Sequence, residues 1–155
     1  MNAREIAEHL TPAMFPGAYS KESDIYPDLK RALQEAAGPS ATVHVEQQDY
    51  NVIKPVRAFN QVWWPDGVVV LGERTIGVEA KLLRHEQESG SLASAVMQGM
   101  VLKLAYDEAL IVLVRTGHTA PFSQQERDLF DRLWENNRIA WTAVVTQRDL
   151  AAVER

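Results

Sequence analysis

The chain alternates between stretches with a helical spacing of apolar residues and stretches with the pattern of β-strands. Apolar residues three and four positions apart predict helices, and short alternating or continuous apolar runs predict strands. The predicted helices cover residues 2–10, 23–37, 91–107, 123–136 and 146–155. The predicted strands cover residues 41–47, 68–71, 75–78, 109–114 and 138–146, with a loop or ragged strand over 49–61. This mixture predicts an α/β fold, and residues 1–155 are expected to form a single domain with its own core.

Three of these elements carry additional signals. The helix predicted over 91–107 is apolar around its whole surface, so we expect it to lie buried between layers. The run 109–114 is continuously apolar, as expected of a central strand that is covered on both faces. The helix predicted over 123–136 begins with a capping box formed by Ser123 and Glu126.

Residues 61–84 contain the most informative pattern of the chain. Two β-branched runs flank Gly72-Glu73, and a two-residue loop with glycine first predicts a type II′ hairpin turn. Counting outward from this turn pairs Leu71 with Arg74 and places Asp66 opposite Glu79. The hairpin register is therefore predicted from the turn alone.

This register brings three charged residues together. Residues opposite each other in an antiparallel pair share a face, with Cβ atoms about 5 Å apart. The period of two along a strand adds Lys81 to the face of Asp66 and Glu79. The other face is apolar and is expected to pack against the core; it carries Gly67, Val69, Leu71, Ile76, Val78 and Ala80.

Two opposed carboxylates indicate a metal site. Like charges at this distance destabilise a strand pair unless a positive charge lies between them. Carboxylate oxygens suit Mg²⁺ or Mn²⁺, which also meet substrate phosphates. Beside such an ion, Lys81 could orient or deprotonate an attacking water, or stabilise charge at a phosphorus centre. The alternative is an exposed hairpin whose charged face is solvated.

The motif Pro65-Asp66, followed after twelve residues by Glu79-Ala80-Lys81, resembles the PD-(D/E)XK nuclease superfamily, which has the restriction-endonuclease-like fold. The resemblance implies an αβββαβ core with a central mixed sheet flanked by helices. The predicted elements match this order over about residues 23–115, with a helix-strand-helix extension over 116–155. It also implies a metal-dependent phosphodiesterase with Asp66 and Glu79 as ligands, the Ala80 carbonyl as a frequent third ligand, and Lys81 assisting the nucleophile.

Other residues are candidates for supporting this site. The superfamily often adds an acid from its first helix, for which Glu22 or Glu35 could serve; a solvated helix face is the alternative for both. Gln98, on the helix after the catalytic strand, either supports the site or is a satisfied buried amide. Trp63 and Trp64 either stack on bases or pack in the core.

The charge of the chain opposes a nucleic-acid partner. The net charge is -5 and the isoelectric point about 5.4, whereas phosphate contacts require Lys and Arg. A bound metal ion and local basic residues reduce this objection. We therefore expect weak binding to bare DNA, aided by a homodimer or by a partner protein that recruits the chain. The candidate DNA contacts near the hairpin are Lys54, Arg57, Arg74, Arg84 and His85.

The composition excludes several other chemistries. The chain has no cysteine, which removes disulfides, thiol catalysis and thiolate zinc sites. It contains no P-loop, dinucleotide-binding glycine turn or hydrolase nucleophile elbow. No long apolar run and no secretory signal are recognised, so we expect a soluble cytoplasmic protein without a membrane partner.

Together these patterns predict a Mg²⁺-dependent deoxyribonuclease, with Mn²⁺ as a substitute ion, acting in restriction, repair, recombination or mobile-element biology. One alternative is a non-catalytic nuclease-like module that binds a protein partner. Another is a nuclease toxin that is neutralised by a cognate inhibitor.

Overall fold

The computed structural model describes residues 1–45, 53–84, 88–116 and 122–149. Its α-helices are α1 (Ala3–His9), α2 (Tyr26–Ala37), α3 (Glu88–Leu102) and α4 (Gln124–Asn137), and short 3₁₀ helices cover Pro12–Met14 and Glu22–Ile25. Its strands are β1 (Thr42–Val45), β2 (Val56–Ala58), β3 (Gln61–Trp63), β4 (Gly67–Leu71), β5 (Arg74–Leu83), β6 (Glu108–Arg115) and β7 (Ile139–Val145).

Five of the strands form one mixed sheet in the order β1-β4-β5-β6-β7. The pairs β1·β4 and β4·β5 are antiparallel, whereas β5·β6 and β6·β7 are parallel. Strands β2 and β3 form a separate two-stranded ribbon. The predicted α/β class and a mixed sheet flanked by helices are thus confirmed.

Helices cover both faces of the five-stranded sheet. One core joins apolar residues of α1 and α2 to one face, and a second core joins α3 and α4 to the other. The central strand β6 serves both cores alternately: Leu110 and Val112 belong to the first, and Ile111 and Leu113 to the second. Every residue of β6 is buried, as the continuous apolar run predicts.

The β4–β5 hairpin has the predicted register. Leu71 pairs with Arg74 and Gly67 pairs with Val78, so the two-residue loop is Gly72-Glu73. Gly72 has a φ of 62°, the left-handed conformation that the first loop position of a type II′ turn requires. The predicted capping box at the start of α4 is also present: Ser123 Oγ accepts from the Glu126 amide at 3.2 Å.

Two expectations about α3 are wrong. The helix begins at Glu88 and ends at Leu102, whereas the sequence predicts 91–107. Just beyond this end, the Tyr106 ring packs so closely against Gly77 that a Cβ there would come within 2.9 Å of it. The helix is also not buried on all sides, since Met97 and Met100 are exposed.

The ribbon formed by β2 and β3 was expected to be a loop or ragged strand. Its two-residue loop, Phe59-Asn60, has positive φ at both positions, 55° and 57°, as in a type I′ turn. Such turns are usually signalled by Asn-Gly or Asp-Gly, and the chain has neither here. The sequence therefore gives no local indication of this hairpin.

The strand predicted over 41–47 and the helix predicted over 146–155 agree with the structure within the described residues. Of the strand predicted over 41–47, residues 46 and 47 lie outside the described residues. Residues 147–149 are helical, and the Asp149 amide donates to Thr146 Oγ1 at 3.3 Å, while 150–155 lie outside the described residues. None of the described helices is long and apolar enough to cross a bilayer.

Candidate active site

Asp66 immediately precedes β4 and lies beside Glu79 of β5. The Asp66 amide donates to the Val78 carbonyl at 2.9 Å, just beyond the last pair of the hairpin, Gly67 with Val78. Lys81 follows Glu79 by two positions on β5 and therefore points to the same face. The structure brings the three residues together as the sequence predicts.

This charged face is not solvated. Asp66 and Glu79 are both buried, and Val68 and Leu83 on the same face belong to the core under α3 and α4. The expectation that the apolar face packs against the core is confirmed, because Val69 and Val78 belong to the core under α1 and α2. The opposite, charged face is covered as well, so the alternative of a solvated hairpin is wrong.

Two hydrogen bonds orient the Asp66 carboxylate. The Tyr26 hydroxyl, at the start of α2, donates to Oδ1 at 2.7 Å, and the Ala80 amide donates to Oδ2 at 2.7 Å. The second bond connects the two strands of the hairpin through the side chain. Asp66 is thus held in one orientation before any ligand arrives.

Glu79 is a buried acid that faces another acid. Burial raises the pKa of its carboxyl, the nearby Asp66 raises it further, and Lys81 opposes both effects, leaving a pKa of about 8. Lys81 Nζ lies 3.0 Å from Glu79 Oε1. The ammonium group therefore offsets only part of the cost of two carboxylates at this position.

Gln98 is the polar residue through which α3 reaches the site. With its amide oriented to satisfy both neighbours, Gln98 donates to both Glu79 carboxylate oxygens, at 2.9 Å to Oε2, and accepts from Ser94 Oγ at 2.9 Å. The two predicted alternatives for Gln98 were support of the site and a satisfied amide. The amide is satisfied, and the partner that satisfies it is Glu79, the candidate metal ligand.

Lys81 lies between two acids. Its Nζ is 3.0 Å from Glu79 and 3.7 Å from Glu22 Oε2. Burial lowers the pKa of Lys81, but Glu79, Glu22 and Asp66 raise it by more, so the ammonium form is favoured. Burial raises the pKa of the Glu22 carboxyl, which Lys81 opposes.

The structure distinguishes the two acids that the sequence left open. Glu22, in the 3₁₀ helix before α2, contacts Lys81. Glu35 is exposed, nine residues after Tyr26 on α2, roughly 14 Å farther along the helix axis. It lines a surface depression beside Arg31. For Glu35, the solvated helix face is the correct interpretation.

The predicted DNA contacts are dispersed. Arg74 lies seven residues before Lys81 on β5, roughly 23 Å away. It donates to the Met1 carbonyl at 2.6 Å and pairs with Glu108 at 3.6 Å, so the structure does not bring it to the site. Arg84 is exposed and directly follows β5. Lys54 lies just before β2 and Arg57 lies within it, and both are exposed. His85 lies outside the described residues.

The two tryptophans, Trp63 and Trp64, differ in burial. Trp63 packs partly against the second core, and its Nε1 donates to the Ala58 carbonyl at 2.9 Å, which braces the β2–β3 ribbon. Trp64 is exposed, so core packing is the wrong interpretation for it.

Sequence reasoning missed Tyr26 and Ser94. The Tyr26 hydroxyl contacts a carboxylate 40 residues away in the chain, and Ser94 acts through Gln98. Only the i, i+4 spacing of Ser94 and Gln98 on one helix face could have indicated the second contact.

The side chains present fit an ion held by two carboxylates. Mg²⁺ is commonly bound through one or two carboxylates, with water and substrate phosphate completing its shell. Among the described residues, no group of three or more His, Cys, Asp or Glu side chains is arranged to hold a metal ion. A cation between Asp66 and Glu79 would relieve the repulsion that contributes to the raised pKa of Glu79.

Comparison with known proteins does not assign the chain to a family. No family model matches the chain, and no curated protein matches it. Any functional conclusion therefore depends on the geometry of Asp66, Glu79 and Lys81.

Proposed function

We propose that the chain is a Mg²⁺-dependent nuclease that hydrolyses DNA phosphodiester bonds on a restriction-endonuclease-like fold. The observation that carries the proposal is the buried pair Asp66 and Glu79 with Lys81 beside it. The order α2, β1, β4, β5, α3, β6 supports the fold, since it corresponds to the αβββαβ order that the motif implies, with the β2–β3 ribbon inserted after the first strand.

A purely structural role does not account for the acid pair. Buried charges in proteins are normally paired with opposite charges, and an unpaired buried charge is strongly destabilising. Here Lys81 pairs with Glu79, and burial together with the neighbouring Asp66 still raises the pKa of Glu79 to about 8. Strong perturbation by burial together with a like charge is typical of functional sites.

Asp66, Glu79 and the Ala80 carbonyl are the groups that would hold Mg²⁺, or Mn²⁺ as its substitute. The bound ion would polarise a phosphoryl oxygen and favour ionisation of the attacking water. Tyr26 and the Ala80 amide keep Asp66 oriented, and Gln98 keeps Glu79 oriented, so the ligands need little rearrangement.

Lys81 acts through its positive charge. Its pKa is raised, so the ammonium form persists at neutral pH and does not serve as a base. An ammonium group beside the ligands can orient the attacking water and stabilise the negative charge that develops on the phosphoryl oxygens. Glu22 positions Lys81 from the opposite side.

DNA would approach across an acidic molecule with few basic contacts. Arg84 follows the catalytic strand directly and is the basic candidate nearest to Lys81 in sequence. With a net charge of -5, binding to bare duplex is weak, and a homodimer or partner protein supplies additional contacts. Affinity should fall with added salt by a small slope, because few phosphates are contacted.

A substrate panel tests the proposal. Plasmid, linear duplex, branched and single-stranded DNA, with RNA for comparison, are incubated with Mg²⁺, Mn²⁺ or chelator. Cleavage should require the metal and disappear in Asp66→Ala and Lys81→Met. Glu35→Gln, which changes an exposed acid of α2, is the control and should retain activity. Undiminished cleavage in both site variants would overturn the proposal.

A further inference from the structure

The outer side of α3 forms one wall of an open apolar groove. The groove has a volume of about 710 Å³ and also includes residues of α4 and the tip of the β2–β3 ribbon. Of the described residues that line it, only Glu126 is charged. The side chains that define this groove are Phe59, Val96, Met97, Met100, Leu104 and Leu129.

The groove is separate from the candidate active site. Gln98, on the inner side of α3, contacts Glu79, whereas Met97 and Met100 on the outer side are exposed. Apolar positions 93, 97 and 100 of α3 repeat at the helical spacing and form a stripe that faces away from the sheet, and Leu104 follows in the turn after the helix. This stripe is the part of α3 that the sequence predicts to be buried.

The exposed area is large for a monomer. The exposed fractions are 77% for Phe59, 44% for Met97, 50% for Met100, 69% for Leu104 and 50% for Leu129. At about 200 Å² for each fully exposed large side chain, these fractions amount to roughly 600 Å² of apolar surface. The largest apolar patch on a typical monomer is about 300 to 600 Å² and is often functional, so this patch lies at the upper end of that range.

The exposed apolar area of the groove is close to the apolar area that each copy buries in a stable dimer. A standard interface covers about 800 Å² on each partner, and about 65% of a homodimer interface is apolar, which is roughly 500 Å² per copy. The groove alone supplies this apolar area. Its near absence of charge excludes a nucleic acid as the occupant, since phosphate contacts need basic side chains.

Phe59 gives the groove a projecting counterpart. It lies at the tip of the β2–β3 ribbon, in a two-residue turn where φ is 55°. A bulky residue rarely adopts this conformation outside such a turn. The turn holds an exposed aromatic ring at the rim of an apolar groove.

We propose that this groove is the interface of a two-fold symmetric homodimer. In such a dimer the same patch serves both copies, so it must carry both a projection and a recess. Phe59 is the projection, and the recess lies between α3 and α4, along Met97 and Met100. The dimer deepens the proposed function, which invokes a homodimer or a partner protein, but it does not rest on the metal site, because no residue of that site takes part.

Sedimentation over a series of protein concentrations tests the dimer. The wild type should sediment as a dimer, with or without Mg²⁺. Met97→Glu and Leu104→Glu should each weaken dimerisation by roughly thirtyfold or more, as at an interface hot spot. Val62→Glu makes the same type of change at a residue outside the groove with a similar exposed fraction, 45%, and should leave the dimer intact.

Cysteine cross-linking provides a second test, which introduces no charge into the interface. The chain has no cysteine, so a single introduced thiol can form a disulfide only with another copy. Of Met97→Cys, Met100→Cys and Leu104→Cys, at least one should yield a covalent dimer on mild oxidation, whereas Val62→Cys should not.

Three results with the purified chain would overturn the proposal, and a fourth concerns other partners. They are a wild type that remains monomeric at every concentration, a dimer that persists in both glutamate variants, and equal cross-linking of Val62→Cys. A monomer that instead retains a protein partner through the groove would also overturn it, since the occupant would then not be a second copy.

Discussion

Two buried glutamates on adjacent strands of the same sheet serve different purposes. Glu108 begins β6, where it accepts the Ala3 amide at 2.7 Å and pairs with Arg74 at 3.6 Å. All of these partners are donors, so Glu108 ties the first helix and the hairpin turn to the sheet. Glu79, on β5, lies opposite Asp66 instead.

The comparison teaches that burial does not identify a functional acid. Both glutamates are buried, but Glu79 faces the Asp66 carboxyl, and burial together with that acid raises its pKa to about 8, whereas Glu108 contacts a backbone amide and a guanidinium group. A carboxylate surrounded by donors stabilises the fold, whereas an acid opposed to an acid is poised to receive a cation.

The largest expected difference between the two is in activity. Glu79→Gln should reduce Mg²⁺-dependent DNA cleavage about a thousandfold, equivalent to about 4 kcal/mol, because one charged ligand is lost. Glu108→Gln, the same change on the neighbouring strand, should stay within a few fold of the wild type. Single-turnover cleavage measures both, and equal losses would contradict the distinction.

The free energy of unfolding should depend more on Glu108 than on Glu79, the reverse of the order for activity. Glu108→Ala removes the acceptor of the Ala3 amide and leaves that buried donor unsatisfied, at a cost of roughly 1 to 3 kcal/mol in the free energy of unfolding. Glu79→Gln should be neutral or stabilising without metal, because it removes acid repulsion. Urea denaturation in the presence of chelator measures both. A Glu79→Gln variant less stable than Glu108→Ala would be the contrary result.

The support given by α3 predicts a smaller effect. Gln98→Leu removes the amide that orients Glu79 and should lower Mn²⁺ affinity about tenfold, as is usual when a partner of a metal ligand is lost. Gln124→Leu makes the same change on the exposed side of α4 and should have no effect. Calorimetric titration compares the two. Identical affinities would show that Gln98 is only a packed amide.

A separate prediction concerns the pH dependence of the metal-free protein's stability. Because the pKa of Glu79 rises from 4.5 to about 8 on folding, its contribution to stability is fully present below pH 4.5 and is lost as the pH rises to about 8. Above pH 8, the melting temperature of Glu79→Gln should therefore exceed that of the wild type by more than it does at pH 5. A difference that stays constant with pH would argue against the raised pKa.

Local signals in the sequence were sufficient for much of this fold. Gly72-Glu73 determines the hairpin register, and with it the meeting of Asp66, Glu79 and Lys81 on one face. The apolar run of β6 and the capping box at Ser123 also depend only on neighbouring residues. Turn chemistry and periodicity act over a few positions, so they can be recognised without knowing the fold.

The structural features that were not predicted depend on contacts between distant segments of the chain. Tyr106, just beyond the end of α3, packs on Gly77 of β5, and Asp66 is oriented by Tyr26 from another element. The apolar surface of α3 predicts burial correctly only if another surface covers it, and none of the described residues covers Met97 or Met100. Periodicity indicates that a face is apolar but not what it contacts.

The most direct measurement of the central claim is a Mn²⁺ titration followed by calorimetry. The wild type and Glu108→Gln should each bind one ion, whereas Asp66→Ala and Glu79→Gln should lose that site. No binding by the wild type, or binding that survives in both Asp66→Ala and Glu79→Gln, would contradict the account.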